Sequence, residues 1–207
     1  MKSIAKDAMI LTLITLISGL LLGLVYEITK EPIELANYNA TQSAYKQVFE
    51  DADSFVDYED FDADEAVDVL TDADLAEDAQ IDAVVETQDA NGDVIGYVIT
   101  VTDHNGYGGD LTFSMGVQND GTVNGIAFTS LSETAGLGQK AKEEGFSSQF
   151  SGLQAANAPM EVVKTTPSAD NQIEAISGAT ITSKAVTGGT NAALTYFNEV
   201  LGGSANE

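Results

Sequence analysis

The alternation of apolar and polar positions divides the chain into four kinds of stretch. Ala8–Tyr26 runs 19 residues without a charge. At ~1.5 Å per residue, a helix of that length roughly spans the ~30 Å hydrocarbon core of a bilayer. Lys2 and Lys6 precede it, and Glu27-Ile28-Thr29-Lys30-Glu31-Pro32 follows without a small-residue cleavage pattern. This predicts an uncleaved anchor rather than a removed signal peptide. Lysines before and acids after place residues 1–7 in the cytoplasm, 8–26 across the membrane and the rest outside. Tyr26 suits the outer interface. Gly19 and Gly23, with Thr12 and Thr15, are small sites where another membrane helix packs closely. Pro32 ends or kinks the helix. Ala40–Phe49 then reads as a separate short amphipathic helix, with Ala44, Tyr45, Val48 and Phe49 on one side.

Asp51–Asp82 interleaves acids with Phe55, Val56, Tyr58, Phe61, Val67, Leu70 and Ile81. The apolar residues argue against simple disorder, so residues 27–83 are expected to be linker, short helix and an acidic, peripheral, partly ordered segment. Asp51-Ala52-Asp53 and Asp62-Ala63-Asp64 open like calcium loops. The positions where that loop needs a ligand and then glycine are apolar, and a solvated acidic face is the better reading.

From Val84 the period changes to two. Val84–Gln88, Val94–Thr102, Leu111–Val117 and Val123–Ser130 are separated by turn signals at Asn91-Gly92, at His104–Gly109 and at Asn119–Gly121. They predict a four-stranded antiparallel meander. A helical stripe of Val186, Ala193, Leu194, Phe197, Val200 and Leu201 then covers the sheet. Gly188-Gly189 marks a close contact or a break inside it, and Gly202-Gly203 its end. The fold class is therefore α+β: a single transmembrane helix, then a domain at 84–207 with an antiparallel β-meander and flanking helices.

Charge narrows the partners. The net charge is -25, from 33 acidic residues against 8 lysines and no arginine. Such a surface repels a phosphate backbone, which excludes nucleic acid, and it repels anionic lipid headgroups, so membrane contact falls to inserted apolar residues. Without cysteine there are no disulfides, thiolate metal sites or cysteine-ligated clusters. The single histidine, His104, excludes a multi-histidine metal site and reads as a solvated loop residue.

The candidate chemistry lies before the last helix. Ser177-Gly178-Ala179-Thr180 follows the β-leaning Ile173–Ile176 and precedes a helical pattern. A strand, a small-residue turn and a helix start leave backbone N–H groups pointing outward, which favours an anion. Thr180 puts a hydroxyl there, and Gly178 and Ala179 leave room beside it. Of the nearby cations Lys140, Lys142 and Lys184, Lys140 is best placed to offset a phosphate. These residues by themselves fit either a held phosphate or an ordinary helix start.

Ser177-Gly178-Ala179-Thr180, continued by Ile181-Thr182-Ser183, resembles the flavinylation signature of the FMN-binding domain family. Tyr107-Gly108-Gly109-Asp110-Leu111 is similar to that family's Gly-Tyr-Gly-Gly segment. Ser132-Glu133-Thr134-Ala135-Gly136-Leu137-Gly138 is similar to its Ser-Glu-Thr-Pro-Gly-Leu-Gly segment, with Ala135 in place of proline. Glu174 stands where the family usually has aspartate. The resemblance implies a covalent FMN, joined through its phosphate to Thr180 by a flavin transferase. Around it would stand Ser177, Gly178, Ala179, Ile181, Thr182, Tyr107, Glu133, Thr134, Leu137 and Gly138, with Lys140 near the phosphate. No residue is expected to act as a catalytic acid, base or nucleophile. Together with the anchor, the pattern resembles the G-subunit family of Rnf complexes. That implies an electron-carrying subunit of an ion-translocating ferredoxin:NAD oxidoreductase in a bacterial cytoplasmic membrane. Its partners would be the A, D and E membrane subunits and, through them, the B and C subunits. The alternatives are the C-subunit family of sodium-pumping NADH:quinone reductases, a stand-alone extracytoplasmic flavin reductase, and a non-redox acidic structural domain.

Overall fold

The computed structural model describes residues 2–202, with side chains from Ile4 onward. The Lys2 side chain and the tail from Gly203 lie outside the described residues. The chain divides into two compact units, residues 1–40 and 41–207.

The first unit is part of helix α1 (Lys2–Val48). It is long and apolar enough to cross a membrane, and its large side chains are exposed all round. Thr12 and Thr15 return their hydroxyls to the Ala8 and Thr12 carbonyls, both at 2.9 Å. An apolar surround therefore meets no orphan donor there. The helix does not end at Pro32. Proline removes one ladder hydrogen bond, and the long helix-forming runs on either side carry the helix through. Ala40–Phe49 is consequently not a separate helix, although its apolar side faces inward as its spacing predicts.

The second unit is built on a five-stranded antiparallel sheet in the order β1-β2-β3-β4-β5. The strands are β1 (Ser54–Asp57), β2 (Ala79–Gln88), β3 (Val94–Asp103), β4 (Leu111–Gln118) and β5 (Val123–Leu131). The expected meander is present and is longer than expected. The acidic stretch adds the edge strand β1 and helix α2 (Ala63–Asp72) and brings the start of β2 forward to Ala79. Some of its acids stabilise these elements directly. Asp62 caps α2 by accepting from the Asp64 and Glu65 N–H groups at 2.8 and 3.4 Å. Asp64 and Glu65 then sit in the first turn, where the helix dipole favours negative charge. Ala66 and Leu70 of α2 are buried in the main core, and Phe61 stacks edge-on to Tyr196. The segment is thus part of the sheet domain and not peripheral to it.

One face of the sheet, including Ile99, Val101, Phe113, Met115 and Ile126, packs in the core with helix α4 (Thr180–Tyr196). The other face takes the last turns of α1: Ala44, Tyr45, Val48 and Phe49 pack with Val85, Val98 and Ala127. Two strand glycines make room for them, since a Cβ at Gly96 would meet the Phe49 ring at 2.6 Å and one at Gly116 the Val48 carbonyl at 2.7 Å. Between β5 and α4 run short helical turns, the one-turn α3 (Glu144–Ser147) and a small parallel pair, β6 (Glu161–Val163) with β7 (Gln172–Glu174).

Helix α4 passes unbroken through Gly188-Gly189. These glycines are a contact surface: a Cβ on Gly189 would stand 3.0 Å from the Phe113 ring, and one on Gly188 2.9 Å from Asp103 Oδ2. Gly189→Val should therefore cost about 1–3 kcal/mol by overpacking. Urea unfolding checks this. An unchanged or raised midpoint would show that Phe113 can yield.

Candidate functional site

Three segments meet at one end of the sheet: the loop after β3, the loop after β5 and the turn into α4. They enclose a cavity of about 490 Å³ lined by Tyr107, Glu133, Thr134, Leu137, Gly138, Gly178, Ala179, Thr180, Ile181 and Thr182. Ten of the twelve residues singled out in the sequence share this one wall. Ser177 and Lys140 do not. They line a neighbouring hollow with Glu143, Phe146, Gln149 and Glu174, because the turn at Gly178 directs Ser177 away and Lys140 lies beyond the loop that ends at Gly138.

The turn into α4 is held rigidly. Gly178 has φ +80°, the left-handed region that glycine enters freely, and a Cβ there would meet Leu137 at 3.2 Å. Ser183 Oγ accepts from the Ile176 N–H at 2.9 Å and donates to the Ala179 carbonyl at 3.0 Å. This fastens the strand end to the first helical turn. The helix cap, Ala179, supplies no side-chain hydrogen bond. Among the described residues, nothing accepts from the N–H groups of Thr180, Ile181 and Thr182. Three unpaired amides at the positive end of a 17-residue helix make an anion site. The half-buried Thr180 lies on its edge.

The other two loops are tied by a carboxylate. Glu133 is only 7% exposed. Its Oε1 accepts from the Tyr107 N–H at 2.8 Å and the Gly108 N–H at 3.4 Å. The loop carrying Leu137 is closed by its own turn bonds, Leu137 and Gln139 N–H to the Thr134 carbonyl and Gln139 Nε2 to the Leu131 carbonyl at 2.8 Å. These hold it with Ala135 in the proline position. Tyr107, Leu137 and Ile181 stand exposed at the mouth. Outside α1, the other large apolar side chains exposed among the described residues are Val56 and Val67. An apolar collar thus surrounds a polar, anion-favouring floor. That combination suits a ligand with a flat apolar ring and a phosphate, and the cavity is within the usual size range of small-ligand sites.

Sequence reasoning missed one group. Asp103, at the end of β3, is 1% exposed and lies under Gly188 of α4. Burial pushes its carboxyl up from 3.8 to about 6, with Asp78 and Asp110 adding to the rise; the Asn105 N–H, donating to Oδ1 at 2.8 Å, and His104 oppose it. The only signal in the sequence is an acid closing an apolar alternation. His104 pairs with Asp110, its Nδ1 3.1 Å from the carboxylate.

Residues 106–195 match the family model described as FMN-binding domain, and residues 1–48 match the RnfG N-terminal region. The chain is 30% identical over 199 residues to the G subunit of the Na(+)-translocating ferredoxin:NAD(+) oxidoreductase complex of Acetobacterium woodii, covering 96% of this chain and 94% of the relative. It is 38% identical over 109 residues to the G subunit of the proton-translocating ferredoxin:NAD(+) oxidoreductase complex of Clostridium ljungdahlii, covering 53% and 57%. Among solved structures, the C subunit of the Na(+)-translocating NADH-quinone reductase of Parabacteroides distasonis superposes with a TM-score of 0.49 at 25% identity, over 70% of this chain and 76% of that one.

Asp103 gives a pH prediction. A carboxyl raised on folding holds its proton more tightly in the folded state. The stability it adds is complete below 3.8 and is lost as pH rises through about 6. Asp103→Asn removes that loss. Its stability relative to wild type should climb by on the order of 2–3 kcal/mol between pH 4 and pH 7. Urea titrations at stepped pH read the difference, and a flat one would mean that the carboxyl titrates normally.

Proposed function

The chain belongs to the G-subunit family of ion-translocating ferredoxin:NAD oxidoreductase complexes, and from that membership we propose that it carries electrons through an FMN esterified by its phosphate to Thr180 Oγ1. The observation that carries the covalent reading is the coincidence of a hydroxyl with three unpaired amides at one helix start. The amides of Thr180, Ile181 and Thr182 receive phosphate oxygens, and the Thr180 hydroxyl is the attachment point. Leu137, Ile181 and Tyr107 flank the ring, and Gly178 and Gly138 let it come close to backbone. When bound, the flavin supplies reversible electron transfer. The chain's own residues position it, limit the water around it and set the electrostatic field in which it works.

In this reading residues 8–26 of α1 cross the cytoplasmic membrane with the N-terminus inside, and the sheet domain stands outside. A flavin that dissociated there would be lost by diffusion, which is the physical benefit of the ester. A flavin transferase makes the bond. The A, D and E membrane subunits exchange electrons with this one and connect it to the B and C subunits. The coupling ion is sodium in the name of one relative and the proton in that of another.

Intact mass of protein purified from native membranes tests the ester. Wild type should weigh one FMN, less one water, above its polypeptide and give a fluorescent band on a denaturing gel. Thr180→Ala should show neither. A wild-type chain of bare polypeptide mass would overturn the reading.

The net charge of -25 gives a second test. Surface acids disfavour added negative charge on the ring, and their reach falls from about 30 Å at 0.01 M salt to about 3 Å at 1 M. The flavin midpoint potential should therefore rise with salt, as spectroelectrochemical titration reads. A midpoint independent of salt would remove the surface from the account.

A further inference from the structure

Because α1 runs on through Pro32, it carries an apolar stripe beyond its uncharged span. Ile28, Leu35 and Tyr38 are 66%, 61% and 62% exposed. Spacings of seven and then three put them on one side of the helix. The same three-and-four spacing leads back through Leu24 and Leu21 into the uncharged segment. Ile33, also exposed, lies off the stripe. Glu31 sits within the stripe, Glu27 and Glu34 follow one flank, and Lys30 and Asn37 fall on the opposite side. Among the described residues none of these three carboxylates is in an ion pair. Pro32 has no N–H, so the Ile28 carbonyl on the same side loses its helical donor.

Single exposed apolar residues are ordinary, but an exposed apolar row in helical register is a contact face. Three occupants can be weighed. Lipid does not reach it: at ~1.5 Å per residue Leu35 and Tyr38 lie about 14 and 18 Å past Tyr26, whereas headgroups extend only about 5–8 Å beyond the hydrocarbon core. A second copy does not fit either. Two parallel copies sharing the stripe would face Glu31 with Glu31, and burying like charges without a counter-ion is costly. The net charge of -25 opposes that pairing at longer range. A foreign helix fits if it is apolar along the seam and carries a cation opposite Glu31. Its N–H donors then serve both the carboxylate and the Ile28 carbonyl. One charged position in an otherwise apolar seam fixes partner and register.

We propose that Ile28–Tyr38 is a docking seam for a helix of another membrane protein, which leaves the bilayer beside α1 and presents a lysine or arginine to Glu31. The seam lies on α1 alone and is independent of the FMN reading of the cavity.

The test is photo-crosslinking of the full-length, tagged chain in native membranes. Benzoylphenylalanine replaces Leu35 or, on the opposite side, Asn37. Both positions are exposed, and carbonate extraction verifies that each variant stays in the membrane. The Leu35 position should join one other membrane protein, at least about tenfold more than the Asn37 position does, and the joined peptide should contain a lysine or arginine within about one helical turn of the attachment point. Glu31→Lys should cut that yield roughly tenfold or more, because it sets like charges against each other. Exchanging the partner's basic residue for glutamate should then restore it. The proposal is overturned by equal yields from the two sides, by a product with a second copy or with lipid only, or by no product. A joined peptide without a basic residue, or a yield that Glu31→Lys leaves unmoved, overturns it as well.

Discussion

The site depends on the orientation of the first turn of α4. Its three amides stay unpaired because nothing among the described residues caps them, and the helix cannot rotate to hide them. Ser183 ties the turn to the end of the preceding strand, Gly178 turns the chain at a positive φ under Leu137, and Gly189 seats the helix body on Phe113. An uncapped helix start costs stability in isolation. Here the core that α4 shares with the sheet offsets that cost, and the unpaired amides remain available to a ligand.

The acids divide in a similar way. Most of the 33 are solvated and give the domain its diffuse negative field. A few have structural roles: Asp62 caps α2, and Asp89 holds the β2–β3 turn by accepting from the Asn91 and Asp93 amides at 2.8 and 3.0 Å. Those contacts hold the Asp89 carboxyl below its ordinary value. Asp103 and Glu133 are different, because the fold buries them. Asp103 sits beneath α4 and is pushed toward its neutral form. Glu133 bridges two loops through backbone donors and keeps one oxygen toward the cavity.

Much of this is legible in the residues. The alternation from Val84 to Ser130 with its Asn-Gly and Asp-Gly turns yields four of the five strands in order, since each hairpin is specified locally. The 19 uncharged residues mark the anchor, and the three loop motifs contain the ten residues that share the cavity wall. The differences are of another kind. The acidic stretch reads as peripheral because its charge outweighs its apolar content. Ala66 and Leu70 join the main core, and Phe61 finds a ring partner in Tyr196, far along the chain. Pro32 reads as a stop or a kink, and one lost hydrogen bond does not end a helix flanked by long runs on both sides. Lys140 reads as close to Thr180 through its loop, yet the chain turns and leaves it in the next hollow.

The sequence by itself determined what depends on neighbours along the chain: the span, the strand alternation, the hairpin turns, and the small-residue turn that opens a helix beside a threonine hydroxyl. Tertiary structure alone decided which distant groups meet. That Glu133 commits one oxygen to Tyr107, 26 residues earlier, and turns the other toward Thr182 across the Gly138 gap follows from how three distant loops close on each other. Hydrogen-bond satisfaction is a property of that closure, and no local pattern encodes it.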